Sequence, residues 1–409
     1  MSDVLAGLDK IHWADLKHAY GPADDVPEQL RALRSESPDE RERALYELYG
    51  NIFHQGSRYP ATAPAVPFLA RLALDPSTLK RDEIVQLLAA VAIGYDEGYL
   101  PGGVDITGWR AEINRMRSAD PAEERRKLDL WVEAAQDAGE RRVRSINRDT
   151  YDHAEALRYA QAELGAYDAV RAEVPALRRL LDDDDPLIRA ATAYLLGWFP
   201  EEAVGSVAAL QALLVRETAT GVTANAIISA GLLTATGLVP QFHDYLNGPE
   251  PLLRLSAAIA LTRLGVVEPE VIGALAEASM IPPETDAEPA VSFLDGDLRG
   301  YASQTLATLD HQLPAETVEA VVKGLSRTSE VATFSMTAAA LRLTFPHGAP
   351  RPLPPFEELT APQRRVVQVL AELGPETWRW VNFMSILRSW NLPSTHAECR
   401  AYAGLDTPE

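Results

Sequence analysis

A repeated segment narrows the fold of this chain more than any other feature. Asp185-Pro186-Leu187-Ile188-Arg189-Ala190-Ala191 is echoed by Glu250-Pro251-Leu252-Leu253-Arg254-Leu255-Ser256, so that Arg254 stands 65 positions after Arg189. A weaker copy, Ser37-Pro38-Asp39-Glu40-Arg41-Glu42-Arg43-Ala44, lies near the start, and Asp297-Leu298-Arg299-Gly300-Tyr301-Ala302 keeps the centre of the pattern. Val222 falls midway between Arg189 and Arg254, and the spacing resumes after Arg299 at Val331. The unit is thus about 32 or 33 residues long. Small residues alternate with leucines at helical spacing in each copy, as in Ala190-Ala191-Thr192-Ala193-Tyr194-Leu195-Leu196-Gly197. Periods of this size mean helical hairpins that cannot bury an apolar face alone and therefore stack on their neighbours.

A second recurrence marks where such hairpins begin. Val26-Pro27, Val66-Pro67, Val174-Pro175 and Val239-Pro240 each precede a short apolar-periodic run. Proline at the first helical position has no amide hydrogen to leave unpaired and a preset φ, so these pairs are predicted to open the first helix of a hairpin.

The combination of Val-Pro-x-Leu, then Asp-x-Pro-x-x-Arg-x-Ala-Ala with a following Leu-Gly, resembles the bacterial HEAT-repeat family, including the short HEAT-like units of phycobilisome-lyase type. The resemblance covers residues 24–93 and 168–345. It implies an all-α, armadillo-like fold, a right-handed α-solenoid of HEAT-like hairpins. The residues that match are those that pack and cap, so the likeness carries a fold and no activity. Expected boundaries are an N-terminal cap over 1–23, repeats over 24–93, a loop and charged helical insertion over 94–167, repeats over 168–345, a proline-rich linker over 346–355 and a C-terminal helical cap over 356–409. Arg41, Arg189, Arg254 and Arg299 share one register, and the resemblance implies that each pairs with the acidic turn of an adjacent repeat. Asp182 to Asp185 stand between two helices, where carboxylates complement a helix N-terminus.

Composition excludes several functions. With 38 basic and 59 acidic side chains the formal charge is -21, a whole-molecule field that repels nucleic acid and anionic membrane but leaves a local basic patch able to bind either. No apolar run approaches the length of a membrane span, and Met1 to Gly7 lack the basic and apolar regions of a secretory signal, so a cytoplasmic chain is expected. The single cysteine, Cys399, rules out an intramolecular disulfide framework and any multi-cysteine metal site. No phosphate-cradling glycine loop, serine-hydrolase elbow or His-Glu-x-x-His motif occurs, and none of the 8 histidines precedes a glutamate, as iron-binding HEAT-repeat hydroxylases would require. Neither metal nor cofactor is expected.

Function in a repeat array collects where the regular unit is interrupted. Asn51, His54, Gln55, Arg58 and Tyr59 form a polar turn between a helix ending near Gly50 and one predicted from Pro67, and they are candidate partner-binding residues. Tyr95 and Tyr99 join them from the glycine-rich stretch Gly94 to Gly103, read as an exposed loop, and Trp109 follows shortly after. Trp13 and Leu16 fit an amphipathic helix sealing the first repeat, and Trp378, Trp380, Phe383 and Trp390 fit a C-terminal cap. Two further loops interrupt the array at 280–289 and 345–355. The leading expectation is a non-enzymatic scaffold for protein–protein interaction, of immunity or regulatory type, whose partner presents a basic surface. The alternative is a lyase-like or other enzyme with a small-molecule site at the N-terminal His/Tyr/Gln cluster, signalled by a deep pocket uniting His18 or His54 with Trp109. A second alternative is HEAT-like nucleic-acid binding through the arginine-rich insertion, where Trp109 and Trp131 interleave with basic groups.

Overall fold

The computed structural model describes residues 3–135, 138–284, 289–309 and 313–405. Among them the fold is all-α, with 21 α-helices and two minimal β-hairpins. No helix among the described residues is long and apolar enough to cross a membrane. The central residues 285–288 of the predicted loop 280–289 lie outside the described part.

The chain forms two compact units, Met1–Tyr95 with Val104–Leu180, and Asp96–Gly103 with Leu181–Glu409. In the first, strands β1 (Lys17–His18) and β2 (Gly21–Pro22) make one hairpin. Helices α1 (Val26–Ala32) and α2 (Pro38–Asn51) follow, then a second hairpin of β3 (Phe53–His54) and β4 (Ser57–Arg58). Next come α3 (Thr62–Leu74), α4 (Arg81–Ile93), α5 (Ile106–Ser118), α6 (Pro121–Glu133), α7 (Ala138–Thr150) and the long α8 (His153–Leu177). α8 packs along both α3 and α4, and Tyr167, Val170 and Val174 of α8 and Leu69 and Leu72 of α3 are all fully buried. Each aliphatic side chain so buried is worth about 2 kcal/mol.

The second unit continues with α9 (Pro186–Leu196), α10 (Ala203–Arg216), α11 (Thr220–Leu232), α12 (Val239–Leu246), α13 (Pro251–Arg263), α14 (Pro269–Met280), α15 (Leu298–Leu306), α16 (Ala315–Leu325) and α17 (Ala332–Thr344). After them stand α18 (Ala361–Glu372), α19 (Pro375–Trp378), α20 (Val381–Ser389) and α21 (His396–Tyr402). α9, α11, α13, α15 and α17 pack side by side in one row, and α12, α14, α16 and α18 pack beside them. The small residues of the repeat explain the closeness of the row, since a Cβ added at Gly231 of α11 would come within 2.7 Å of the Ala260 backbone on α13.

Proline and aspartate start the second helix of several pairs as predicted. α2, α9 and α13 each have proline in the first turn, and Asp185 accepts the Leu187 amide hydrogen at 2.9 Å. The Val-Pro rule holds at Val26 and Val239, which open α1 and α12, but not elsewhere. Pro67 lies inside α3, which begins a turn earlier with Pro64 in its first turn, and Pro175 lies in the last turn of α8. The arginine register is also more local than the family resemblance implies. Arg41 donates to the Ser35 carbonyl at 2.7 Å, Arg254 to Pro249 at 3.0 Å and Arg299 to Arg327 at 3.1 Å, so these guanidiniums close turns through backbone oxygens. Arg189 alone of the four adds a carboxylate among the described residues, a two-pronged pair with Glu217 at 2.7 and 3.0 Å.

Trp13 is buried and donates its indole hydrogen to the Leu8 carbonyl at 3.0 Å, but it sits in a short 3-10 turn, not the amphipathic helix expected. At the other end Trp378 and Phe383 pack edge to face at 4.9 Å and are buried. Cys399 is buried as well, which pushes its thiol up to about 12 and leaves it unreactive at neutral pH.

Candidate functional site

The N-terminal polar residues converge on an open concavity of about 1130 Å³ on the first unit. Its walls are one face of α1 and the stripe Glu40, Arg43, Ala44 and Glu47 of α2, residues that helical periodicity places on one side. Its rim is aromatic, with Tyr20, Tyr46 and Tyr95 exposed to 72%, 79% and 58% of their surface.

Beneath it lies a hydrogen-bonded set centred on Asp25. This residue occupies the N-cap position of α1, yet its carboxylate caps no backbone amide. Oδ1 accepts from His18 Nε2 at 3.0 Å, while Oδ2 accepts from Gln29 at 2.9 Å and from Asn51 at 3.2 Å. Asn51 also donates to Gln29 Oε1 at 3.0 Å and accepts the Ile52 amide hydrogen at 3.0 Å. The Tyr20 amide donates to His18 Nδ1 at 3.0 Å, which makes Nδ1 the acceptor and Nε2 the proton-bearing nitrogen. Both nitrogens of the buried His18 are thereby engaged, and it offers no free edge for proton transfer.

The residues predicted as a polar turn are a β-hairpin. Gln55 and Gly56 both have positive φ, 50° and 85°, the backbone of a two-residue type I′ turn. This turn carries His54 into reach of Tyr20, with the phenol oxygen 3.3 Å from Nδ1 and the rings edge to face at 5.3 Å. Gly56 also accommodates Tyr95, whose ring a Cβ there would meet at 2.9 Å.

Asn51, His54, Gln55 and Tyr95 therefore share the concavity, and the other predicted site residues do not. Arg58 is buried behind the hairpin, bonded to the Gly56 carbonyl and 3.7 Å from Glu163, whose carboxyl burial pushes upward against that pairing. Tyr59 packs edge to face on Tyr159 at 6.0 Å, and Trp109 lies against Tyr167 at 5.5 Å. Tyr99 belongs to the second unit, 6.4 Å from Trp198. No pocket residue is Trp109, so the arrangement that would have signalled a small-molecule site is not what lines the concavity. Sequence reasoning missed Glu28 of α1 and Glu40, Arg43, Tyr46, Glu47 and Tyr49 of α2; for Glu40, Arg43 and Glu47 the signal was their one-sided spacing on that helix.

The stretch from Gly94 to Gly103, read as an exposed loop, is an anchored segment. Asp96 is only 8% exposed, and Leu100 is buried. Within the second unit, Asp96 Oδ2 accepts the Leu294 amide hydrogen at 2.9 Å and the Tyr194 hydroxyl at 3.2 Å. Burial pushes this carboxyl up to about 6, although both hydrogen bonds act the other way. Leu294 and the next residue, Asp295, hold φ of 54° and 50°, a left-handed pair without glycine. Asn225 fastens the same loop, donating to Ala290 and accepting from Ser292, each at 3.0 Å.

Six basic groups of the insertion, Arg110, Arg115, Arg125, Lys127, Arg144 and Arg148, are paired with nearby acids. Arg110 meets Asp168 at 3.0 and 2.6 Å, Arg115 meets Glu112 and Glu124, and Arg148 meets Asp129 and Asp149. Arg144 pairs with Glu140 and lies 4.9 Å from the Trp131 ring centroid. Among the described residues no group of three or more metal-ligating side chains is assembled.

No family model matches the chain, and no curated protein matches it. Among solved structures, the crystal structure of an engineered protein covers 93% of this chain and 97% of its own, at 18% identity and a TM-score of 0.25. Superposition that poor carries no structural argument.

Proposed function

We propose that this chain is a non-enzymatic, HEAT-like scaffold that binds a protein partner with a basic surface in the concavity of its N-terminal unit. The single observation behind the reading is the lining. Exposed tyrosines and carboxylates surround an opening of about 1130 Å³, and the polar groups at its base are already bonded to one another. Such a surface is suited to gripping a partner, since aromatic side chains supply contact area at low entropic cost and acidic ones steer a basic surface. Catalysis is disfavoured because His18, paired with Asp25, has both imidazole nitrogens occupied. Nucleic-acid binding is disfavoured because the formal charge is -21 and Arg110, Arg115, Arg125, Arg144 and Arg148 of the insertion are already paired with carboxylates. The repeat likeness rests on helix starts at Pro38, Pro186 and Pro251 with an arginine three residues on.

The test is affinity capture from native lysate with the purified chain and with a Glu28→Lys/Glu47→Lys double variant. A protein retained by the first and lost from the second is the expected result. Retention by both places the interface elsewhere. Absence of a protein, together with a small molecule held through native mass spectrometry, would favour a ligand carrier or enzyme.

A further inference from the structure

The lining of the concavity is more selective than a general acidic surface. Its charged members are Asp25, Glu28, Glu40 and Glu47 against Arg43. Asp25 is held by His18, Gln29 and Asn51, and Glu40 accepts from the Ser35 hydroxyl. Glu28 and Glu47 have no ion-pair partner among the described residues. Tyr46, on the same helix as Glu47 and in the same lining, is 79% exposed. Ala32, Ala44 and Gly50 keep parts of the wall low, leaving space for a backbone as well as a side chain.

Open carboxylates next to exposed ring faces form a receptor for an organic cation. The ring quadrupole attracts the cation face-on, and the carboxylates supply its counter-charge. A guanidinium fits this pair of features better than an ammonium. It is planar, stacks on an aromatic face, gives up its hydration more easily and bonds a carboxylate with two parallel N–H groups. The chain uses the same device internally, with Arg71 4.6 Å from the Phe68 centroid and Arg379 5.3 Å from that of Trp380.

We infer that the concavity recognises an arginine-bearing segment of a protein partner, its guanidinium seated on Tyr46 and paired with Glu28 and Glu47. This rests on the partner-binding reading above. An opening of this volume takes several residues of an extended segment rather than one side chain.

The probe is an acetylated, amidated glycine-rich peptide carrying two arginines, compared with versions carrying lysine or citrulline, titrated into the full chain by NMR at about 0.05 M salt. Shifts are expected in Tyr46, Glu28, Glu47 and Tyr95, with citrulline at least about tenfold weaker because its side chain keeps the shape and loses the charge. Glu28→Gln/Glu47→Gln is expected to weaken the arginine peptide by about tenfold or more, and Tyr46→Ala to abolish its advantage over the lysine peptide. All three side chains are exposed, so the variants are expected to melt with the native chain. Equal binding of citrulline and arginine peptides, or no shift at about 10 mM peptide, overturns the inference. A chain that still loses its captured partner on Glu28→Lys/Glu47→Lys while ignoring the arginine peptide overturns the inference and leaves the partner-binding reading standing.

Discussion

His18 gives its Nε2 proton to Asp25 Oδ1 across 3.0 Å, and through that bond the first β-hairpin is tied to the start of α1. The carboxylate accepts three donors there and caps no helix amide. A local rule of helix capping is broken so that a polar base can form under the concavity.

Asp25→Asn tests that base. The amide would set an NH2 group against His18 or against the Gln29 and Asn51 amides, leaving at least one donor without an acceptor. The expected loss is about 1 kcal/mol in urea unfolding with an unchanged slope, together with altered NMR signals of His18 and Tyr20. Full stability in the variant would mean that the bonds are incidental.

The tip of the second hairpin gives a contrast between neighbours. Gly56→Ala is expected to destabilise by about 1 kcal/mol or more, since φ is 85° and the new Cβ would press on Tyr95 at 2.9 Å. Gln55→Gly, at φ of 50°, is expected to be neutral or stabilising. Thermal melts of the pair would check both, and a destabilising Gln55→Gly would show that the positive φ at Gln55 costs less than its side chain and the lower entropy of its unfolded state contribute.

Asp96 predicts a pH dependence. Its carboxyl is raised from 3.8 to about 6 in the folded chain, so the folded state holds that proton more tightly than the unfolded one. Its contribution therefore favours folding most at low pH and declines as pH rises from about 4 to about 6. Asp96→Asn keeps an acceptor for Leu294 and Tyr194 and cannot ionise. The difference in stability between variant and native chain is expected to grow across that interval and then level off. A difference independent of pH would show that Asp96 titrates normally.

Arg189→Ala is expected to lower the melting temperature while leaving binding at the concavity intact. The substitution removes the guanidinium from Glu217, whose side chain is 3% exposed and keeps only the Thr218 and Ala219 amides at 3.0 and 2.9 Å, and it removes bonds to the Asp183 and Asp184 carbonyls. A cost of about 2 kcal/mol or more follows. Loss of binding without loss of stability would give this arginine a recognition role.

The all-α class, the proline-started second helices and the buried ends were legible because they arise from short-range periodicity and capping. The Val-Pro signal failed at Pro67 and Pro175 because helices already in progress carried through it, from Thr62 and from His153. At the site, His54 and Gln55 were legible as breaks in the repeat. Arg58 was misread, since charge in a sequence gives no sign that Glu163, 105 positions away, lies within 3.7 Å of it. Asp96 was hidden for the same reason, because glycines around it signal an irregular backbone and not its exposure. Glu28, Tyr46 and Glu47 carry no motif and no break in the repeat, and they come to line one concavity only when α1, α2 and both hairpins are assembled.

The most direct measurement places a photo-reactive benzophenone side chain at position 46, and at position 204 as a control, where Val204 is 91% exposed outside the concavity. A discrete protein adduct from position 46, absent from position 204 and abolished by Glu28→Lys/Glu47→Lys, is the predicted result. Adducts from position 204 alone, or from position 46 irrespective of the two carboxylates, would contradict the assignment of the concavity as the partner-binding surface.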